Sequence, residues 1–139
     1  MALAMTAEDL GAFLLSEFPQ VGDDFAVEGL SEEGLTVRLK VAERHLRPGG
    51  TVSGPTMFAL ADVAIYLAVL ARIGPVALAV TTSCAIDFMR RPASGADLLG
   101  EARLLKLGRV LAVGDVLIRS EGMAAPVARA SLTYSIPPR

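Results

Sequence analysis

Apolar residues at the start of the chain follow first a helical and then an extended pattern. Thr6 and Asp9 resemble a capping box, and the apolar residues behind them recur at helical spacing until a proline is reached. This pattern predicts a short helix over about residues 6–18. Two strands are predicted next, at Phe25–Leu30 and at Gly34–Val41, and in the second of them apolar and polar residues alternate.

The middle of the chain is apolar on every side. Between Met57 and Ala71 the one charged residue is Asp62, and the preceding Ser53, followed by Gly54 and a proline, is typical of the first turn of a helix. A helix that is apolar all round is enclosed by protein. The stretch also falls short of the roughly 20 residues that a membrane span needs. We therefore predict a buried core helix and no membrane partner.

The rest of the chain has the short alternating patterns of strands separated by turns. The predicted strands are Val76–Met89, Leu98–Leu107, Val110–Arg119 and Val127–Ile136. The residues predicted to share a face are Thr82, Cys84, Ile86 and Phe88 in the first of these strands, and Val110, Ala112, Val116 and Ile118 in the third. An antiparallel sheet curled around the central helix would enclose it on all sides. The predicted fold class is α+β, with residues 1–139 in one domain.

Composition and charge indicate which classes of partner and which cell compartment to expect. Hydrophobic residues make up 53% of the 139 residues and the mean hydropathy is +0.51, a surplus that favours contacts between subunits. A net charge of -2 argues against a nucleic-acid partner. Cys84 is the only cysteine, and no basic residue precedes the apolar N-terminal segment as in a secretory signal. Both features favour the cytoplasm.

Two single residues limit the chemistry further. His45 is the only histidine, which excludes His-rich zinc sites, and no metal is predicted. We interpret His45 as a surface residue. Cys84 alternates with apolar strand positions, so we interpret it as part of the core and not as a nucleophile.

Asp62 is the residue that packing does not explain. Its helical neighbours, three and four positions away, include no cation that could pair with the carboxylate. A buried carboxylate without a partner is costly. Either Asp62 reaches solvent or an arginine from elsewhere in the chain, or it is a catalytic base or nucleophile, since unusual acids cluster at functional sites.

The glycine-rich loop that leads into the central helix is a second candidate. Free backbone N–H groups at a helix start can bind a carbonyl oxygen or an oxyanion. By itself such a loop is more often a flexible connection with an ordinary cap. Asp62 follows Gly54 by eight residues, roughly 12 Å along a helix axis. The two groups would therefore reach one substrate from different points along the helix.

The loop and the start of the helix carry a motif of a known family. Gly54 is followed by Leu60-Ala61-Asp62, and this order resembles the signature of the hotdog-fold thioesterases of the phenylacetate-degradation (PaaI-like) type. That family has Leu-x-Asp shortly after a His-Gly-Gly. Downstream, Ile86–Pro92 resembles the family's strand that ends in an aromatic residue and Arg-Pro, and Leu105–Arg109 resembles its basic hairpin. The resemblance extends over about Gly22–Pro137.

The resemblance implies a hotdog fold and an activity. It implies hydrolysis of an acyl-coenzyme A thioester at the interface of a homodimer or a dimer of dimers, with coenzyme A as part of the substrate and no other cofactor. Asp62 would activate water or attack the thioester, and the Gly54 amide would polarise the carbonyl oxygen. Thr81, on the partner subunit's strand, would position the water or the carboxylate, although a strand position suits a β-branched residue in any case.

Further residues are implied as substrate contacts. Tyr66 would line the acyl pocket, unless it only fills the core. Four basic residues would meet the coenzyme A phosphates, unless they are ordinary solvated side chains. The implied substrate-binding residues are Ser53, Arg47, Tyr66, Arg90, Arg91, Lys106 and Arg109.

The chain departs from the family pattern at three loop positions. Ser53 stands in place of the family's His, Arg47 in place of a frequent Asn, and Pro55 in place of the second Gly. Pro55 has no N–H to donate. A non-catalytic acyl-coenzyme A binding protein on the same fold is therefore the alternative. A hydratase or dehydratase would need a histidine placed with the acid, and none follows Asp62.

Overall fold

The computed structural model describes residues 2–138, and in this part of the chain one antiparallel sheet surrounds one long helix. The strands pair in the order β1-β2-β4-β5-β6-β3. The strands are β1 (Phe25–Leu30), β2 (Leu35–Leu39), β3 (Val80–Phe88), β4 (Leu98–Leu107), β5 (Leu111–Ser120) and β6 (Pro126–Ser135). The helices are α1 (Ala7–Glu17), α2 (Pro19–Gly22) and α3 (Gly54–Ile73). This is the helix-in-sheet architecture of the expected hotdog fold.

The capping box at the start of α1 is confirmed. The Asp9 N–H donates to Thr6 Oγ1, and the Thr6 N–H donates to Asp9 Oδ2, each at 3.0 Å. Behind the cap, Leu10 and Leu14 are buried, so α1 is anchored to the core through one face.

The buried core helix is also confirmed. Ser53 caps α3 by accepting the Thr56 N–H at 3.3 Å, and Gly74 ends it with a φ of 97°, which favours glycine. By length and composition α3 could cross a membrane, but 67% of its most apolar stretch lies inside the protein. Its apolar residues therefore pack against the sheet.

Two strand glycines allow the sheet to lie close against α3. A Cβ at Gly114 of β5 would be 2.5 Å from Ile65 Cδ1, and one at Gly100 of β4 would be 3.2 Å from Leu60 Cγ. Any larger residue would push these strands away from the helix. The glycines thus permit the close wrapping that covers α3.

A bulge changes the predicted face of β3. Thr81 pairs with Tyr134 of β6, but Ser83 pairs with Thr133, which leaves Thr82 as an extra residue in β3. Thr82 is exposed, whereas Cys84 is half-buried against the core. The prediction that Thr82 shares the inner face with Cys84 is therefore wrong, because the bulge puts Thr81 on that face instead.

Two further predictions need correction. Val110 does not belong to a strand face, because it is 58% exposed and lies in the turn before β5. In this turn the Gly108 N–H donates to the Leu111 carbonyl. His45 is buried, not on the surface. Its Nδ1 accepts the Ala42 N–H at 2.9 Å, and its Nε2 lies 3.2 Å from Asp24 Oδ2.

Candidate functional site

The Asp62 carboxylate lies half-buried where α3 faces β3 and β6. Its Oδ1 accepts a hydrogen bond from Thr81 Oγ1 and a second one, of 2.7 Å, from the hydroxyl of Tyr134. The Tyr134 hydroxyl is also 3.0 Å from the Asp62 carbonyl oxygen. Within residues 2–138 no ion pair involves Asp62, so two hydroxyl groups take the place of the arginine that one interpretation expected.

Thr81 reaches this carboxylate within one chain. The family resemblance implied a Thr81 from a partner subunit, but the structure places the Thr81 of the same chain against Asp62. The bulge at Thr82 turns this hydroxyl inward. The structure thus brings Thr81 and Asp62 of one chain together, and a contact between the partner subunit's Thr81 and the substrate stays a prediction.

Tyr134 was not among the predicted site residues. It is 2% exposed and comes from an inward-facing position of β6, between buried Leu132 and Ile136. Burial, and then the charge of Asp62, raise the pKa of the Tyr134 phenol. The phenol therefore stays protonated and acts as a donor. The alternation along β6 marks its inward direction, but nothing in the sequence shows that it meets Asp62.

A pocket of about 490 Å³ opens beside Asp62. Tyr66 forms part of its wall and donates its hydroxyl to the Ala77 carbonyl at 2.9 Å. The Tyr66 ring also packs against Phe13, Phe18 and Tyr134, with centroids 6.1–6.4 Å apart. Tyr66 therefore both fills the core and lines the pocket. The lining residues are Glu17, Phe18, Gln20, Asp62, Val63, Tyr66, Ala77, Ala79, Val80, Thr81 and Tyr134.

Gly54 lies at a different place from this pocket. A Cβ at Gly54 would be 3.3 Å from Cζ of Phe88, at the far end of β3 from Thr81. The hydroxyl of Ser53 is occupied in the helix cap, donating to Thr56 Oγ1 at 2.9 Å. A single chain therefore does not bring Gly54 or Ser53 into the pocket that contains Asp62.

The predicted basic residues also lie away from Asp62. All five have exposed side chains, and as the described residues are placed, none of them lines its pocket. Arg90 donates to the Pro126 carbonyl at 2.7 Å, just beyond the end of β3. The remaining four are Arg47 in the loop before α3, Arg91 after β3, and Lys106 and Arg109 at the turn that connects β4 to β5.

Cys84 faces the core on β3, as expected. Burial, and then the charge of Asp62, raise the pKa of its thiol, which disfavours the nucleophilic thiolate. In the part of the chain that the structure describes, no group of three or more His, Cys, Asp and Glu side chains could hold a metal ion. Asp62 with its two hydroxyl donors is thus the candidate chemical centre of the pocket.

Comparisons with known proteins show the family of this chain. Residues 49–127 match the family model described as thioesterase superfamily, a segment that includes Asp62 and Thr81 but ends before Tyr134. No curated protein sequence matches the chain.

Solved structures resemble the whole chain. A candidate thioesterase from a Silicibacter species is 62% identical, with a TM-score of 0.93 over 99% of this chain and 96% of that one. A variant of the phenylacetic acid degradation protein PaaI from Thermus thermophilus is 32% identical, with a TM-score of 0.73 over 86% and 99%. A thioesterase protein from Streptococcus pneumoniae, solved with coenzyme A, shares the fold at 22% identity, with a TM-score of 0.74 over 96% and 98%.

Proposed function

Because this chain belongs to the thioesterase superfamily, its class of activity is thioester hydrolysis, and we propose that it hydrolyses an acyl-coenzyme A to the free acid and coenzyme A. The observation that carries this proposal is the Asp62 carboxylate, which among residues 2–138 meets hydroxyl groups and no cation at the edge of an open pocket. A carboxylate without a counter-ion is available to take a proton.

In the proposed reaction Asp62 is a general base. It takes a proton from a water molecule while the water oxygen bonds to the thioester carbonyl carbon. The C–S bond then breaks and its electron pair leaves with the sulfur. The proton carried by Asp62 passes to that sulfur, so the products are the free acid and the coenzyme A thiol.

The site is completed by a second subunit in this proposal. β3 is an edge strand, and an unpaired edge binds another strand readily. The exposed apolar residues near this edge are Leu78, Val80, Phe88 and Met89. Two identical edges related by a two-fold axis pair antiparallel. The Thr81 end of one β3 then meets the Phe88 end of the other, which brings Gly54 of the partner subunit toward Asp62.

The resulting dimer supplies the missing oxyanion donor. Gly54 begins α3, and a helix start offers N–H groups without an intrahelical partner. Among the described residues no hydrogen bond is donated by the Gly54 N–H. We therefore place the carbonyl oxygen of the substrate at this amide and its carbonyl carbon near Asp62. The dimer can in turn associate into a dimer of dimers.

Coenzyme A is the proposed thiol part of the substrate. Arg90 and Arg91 come shortly after β3, at the same end as Gly54, where their charges can meet phosphates. Lys106 and Arg109 at the β4–β5 end provide further positive charge. The Streptococcus pneumoniae protein, which shares the fold, was solved with coenzyme A. We place the reaction in the cytoplasm, which the single cysteine favours.

The loop before α3 favours one alternative, an acyl-coenzyme A binding protein without turnover. Ser53 replaces the family's His, its hydroxyl is used in the helix cap, and Pro55 has no N–H. If the protein does hydrolyse a thioester, the reaction depends on Asp62 and Gly54 and receives no help from the side chains of Ser53 and Pro55.

A substrate panel decides between the two functions. Short, long and aryl acyl-coenzyme A thioesters are incubated with the wild-type protein and with Asp62→Asn, and the released thiol is measured. Turnover of any of them by the wild type, lost in Asp62→Asn, supports the proposal. Binding of these compounds without turnover supports the alternative. If the protein neither binds nor hydrolyses any of them, both functions are contradicted.

A further inference from the structure

We infer that Tyr134 is a positioning residue that, together with Thr81, holds Oδ1 of Asp62 and leaves Oδ2 as the oxygen that reacts. The inference rests on the proposed function, since it assigns the two carboxylate oxygens of the proposed base different tasks. Both hydroxyl donors meet Oδ1. Among the hydrogen bonds of residues 2–138, none is donated to Oδ2.

Two donors on one oxygen restrict the rotation of the carboxylate. The torsion that turns an Asp carboxylate has broad energy minima, so its orientation depends on contacts with other groups. Here the carboxylate belongs to α3, one donor to β3 and the other to β6. Because three separate elements meet at Oδ1, Oδ2 keeps a constant direction relative to the pocket.

Tyr134 is the more rigid of the two donors. It lies on β6, which is paired on both sides, opposite Ala112 of β5 and Thr81 of β3. Thr81 lies beside the bulge in β3, where the ladder of hydrogen bonds is locally disrupted. The Tyr134 ring is buried and packs against Tyr66 with centroids 6.1 Å apart, so its hydroxyl is held in place by core packing.

The arrangement assigns the chemistry to Oδ2. An oxygen that accepts two hydrogen bonds has its lone pairs engaged, whereas Oδ2 retains both of its own. Oδ2 takes the proton from the attacking water, and the same proton later passes to the coenzyme A sulfur. Removing the Tyr134 hydroxyl leaves the base present but less well oriented.

Tyr134→Phe tests this role, with Thr133→Val as its control. Thr133 is the adjacent residue of β6, on the outward face, and loses a hydroxyl that does not meet Asp62. In Tyr134→Phe we expect kcat to fall about 10- to 100-fold, the range in which small misplacements of a catalytic group lie, while KM stays close to that of the wild type. In an Asp62→Asn background the same change should cause no further loss.

The outcomes separate this inference from the proposed function. If the wild type hydrolyses acyl-coenzyme A and Asp62→Asn does not, an unchanged kcat in folded Tyr134→Phe overturns the inference alone. A raised KM with unchanged kcat overturns it as well, because it indicates a contact with substrate. A wild type without hydrolysis overturns both. If Tyr134→Phe does not fold, Tyr134→His, which can donate, is compared with Tyr134→Leu, and equal kcat values in these two overturn the inference.

Discussion

Thr81 donates its hydroxyl to Asp62 because the next residue, Thr82, is bulged out of the β3–β6 ladder. Strict alternation from Cys84 backwards along β3 would turn Thr82 toward the helix and Thr81 away from it. The extra residue reverses this order at the beginning of the strand. Bulges often redirect side chains at functional sites, and here the redirected hydroxyl meets the proposed base.

Thr81 and Thr82 therefore form a matched pair of variants. Thr81→Val removes a donor to Asp62 while keeping the β-branched shape, so hydrolysis should fall about 10-fold or more, as for a displaced catalytic group. Thr82→Val loses only a long 3.4 Å bond to the Thr133 carbonyl and should keep wild-type rates. Steady-state kinetics on both variants checks this, and equal activities would contradict a role for Thr81.

Asp62→Asn should remove activity without unfolding the protein. The amide oxygen of Asn can still accept from Thr81 and Tyr134, whereas its NH₂ group cannot take a proton. Hydrolysis should fall by at least about 10²-fold, the usual contribution of a general base, and the melting temperature should hold or rise. Asp62→Ala is the comparison, since it removes the acceptor of the Thr81 hydroxyl and leaves the buried Tyr134 hydroxyl with only the backbone carbonyl of residue 62, so it should melt lower. Wild-type rates in Asp62→Asn would exclude the catalytic role.

Gly54→Val tests the proposed oxyanion donor. A side chain at Gly54 meets the Phe88 ring at 3.3 Å, but Phe88 is 51% exposed and its ring can move. The fold should therefore persist, while the added side chain blocks close approach of a carbonyl oxygen and turnover is lost. Gly29→Val on β1, where a Cβ meets no atom within 4 Å, is the control. Circular dichroism and kinetics measure fold and activity, and full activity in folded Gly54→Val would remove the role.

Mixed dimers show which chains contribute Gly54 and Asp62. If one site combines Gly54 of one chain with Asp62 of the other, a dimer of one Gly54→Val chain and one Asp62→Asn chain has one site with both defects and one with neither. Co-expression of the two inactive variants should then restore part of the activity. Absence of any recovery in verified mixed dimers would place both groups in one chain.

The β3 edge should determine the oligomeric state. Ala85, near the middle of β3 and exposed, would lie near the two-fold axis, so Ala85→Lys brings like charges together across the interface. Light scattering should show at least a dimer for the wild type and a particle near 14.5 kDa for the variant, with activity lost as well. Gly29→Lys on the opposite edge strand should remain oligomeric. A monomeric wild type at micromolar concentration would contradict the shared site.

Acidic pH should lower the stability of the fold, because it protonates the carboxylates that bind Arg38. Its guanidinium bonds Asp97 and Glu28 at 2.9 Å and Glu121 at 2.6 Å. Bonding to Arg38 lowers the pKa of Glu121. Burial alone would raise the pKa of Asp97, but the Val41 N–H and Arg38 hold it below its usual value.

A carboxyl group whose pKa is lowered by folding stabilises the fold at any pH above its pKa in the unfolded chain, which is about 4. This stabilisation is lost as the pH falls through the lower pKa of the folded state. Arg38→Gln should therefore lower the melting temperature at pH 7, with a difference from wild type that shrinks toward pH 3. Arg103→Gln, whose partner Asp115 lies 4.0 Å away at the surface, should change little. A difference that is constant with pH would contradict this ion-pair cluster.

Local sequence determined the elements of this protein. The capping box at Thr6, the uniformly apolar stretch of α3 and the alternation in the strands each depend on neighbours within a few residues, so they could be read from the chain, as could the helix-in-sheet architecture. The isolation of Asp62 was also visible, because its nearest helical neighbours are known from spacing alone.

The surroundings of Asp62 were decided by tertiary structure. Tyr134 lies 72 residues away from it, and the bulge that turns Thr81 inward arises from the pairing of β3 with β6. His45 was misplaced for the same reason, because Asp24 approaches it only when the chain folds. Hydrophobic periodicity depends on short-range geometry and indicates which way a side chain points. Which polar groups then meet depends on strand register and long-range packing, which no local pattern contains.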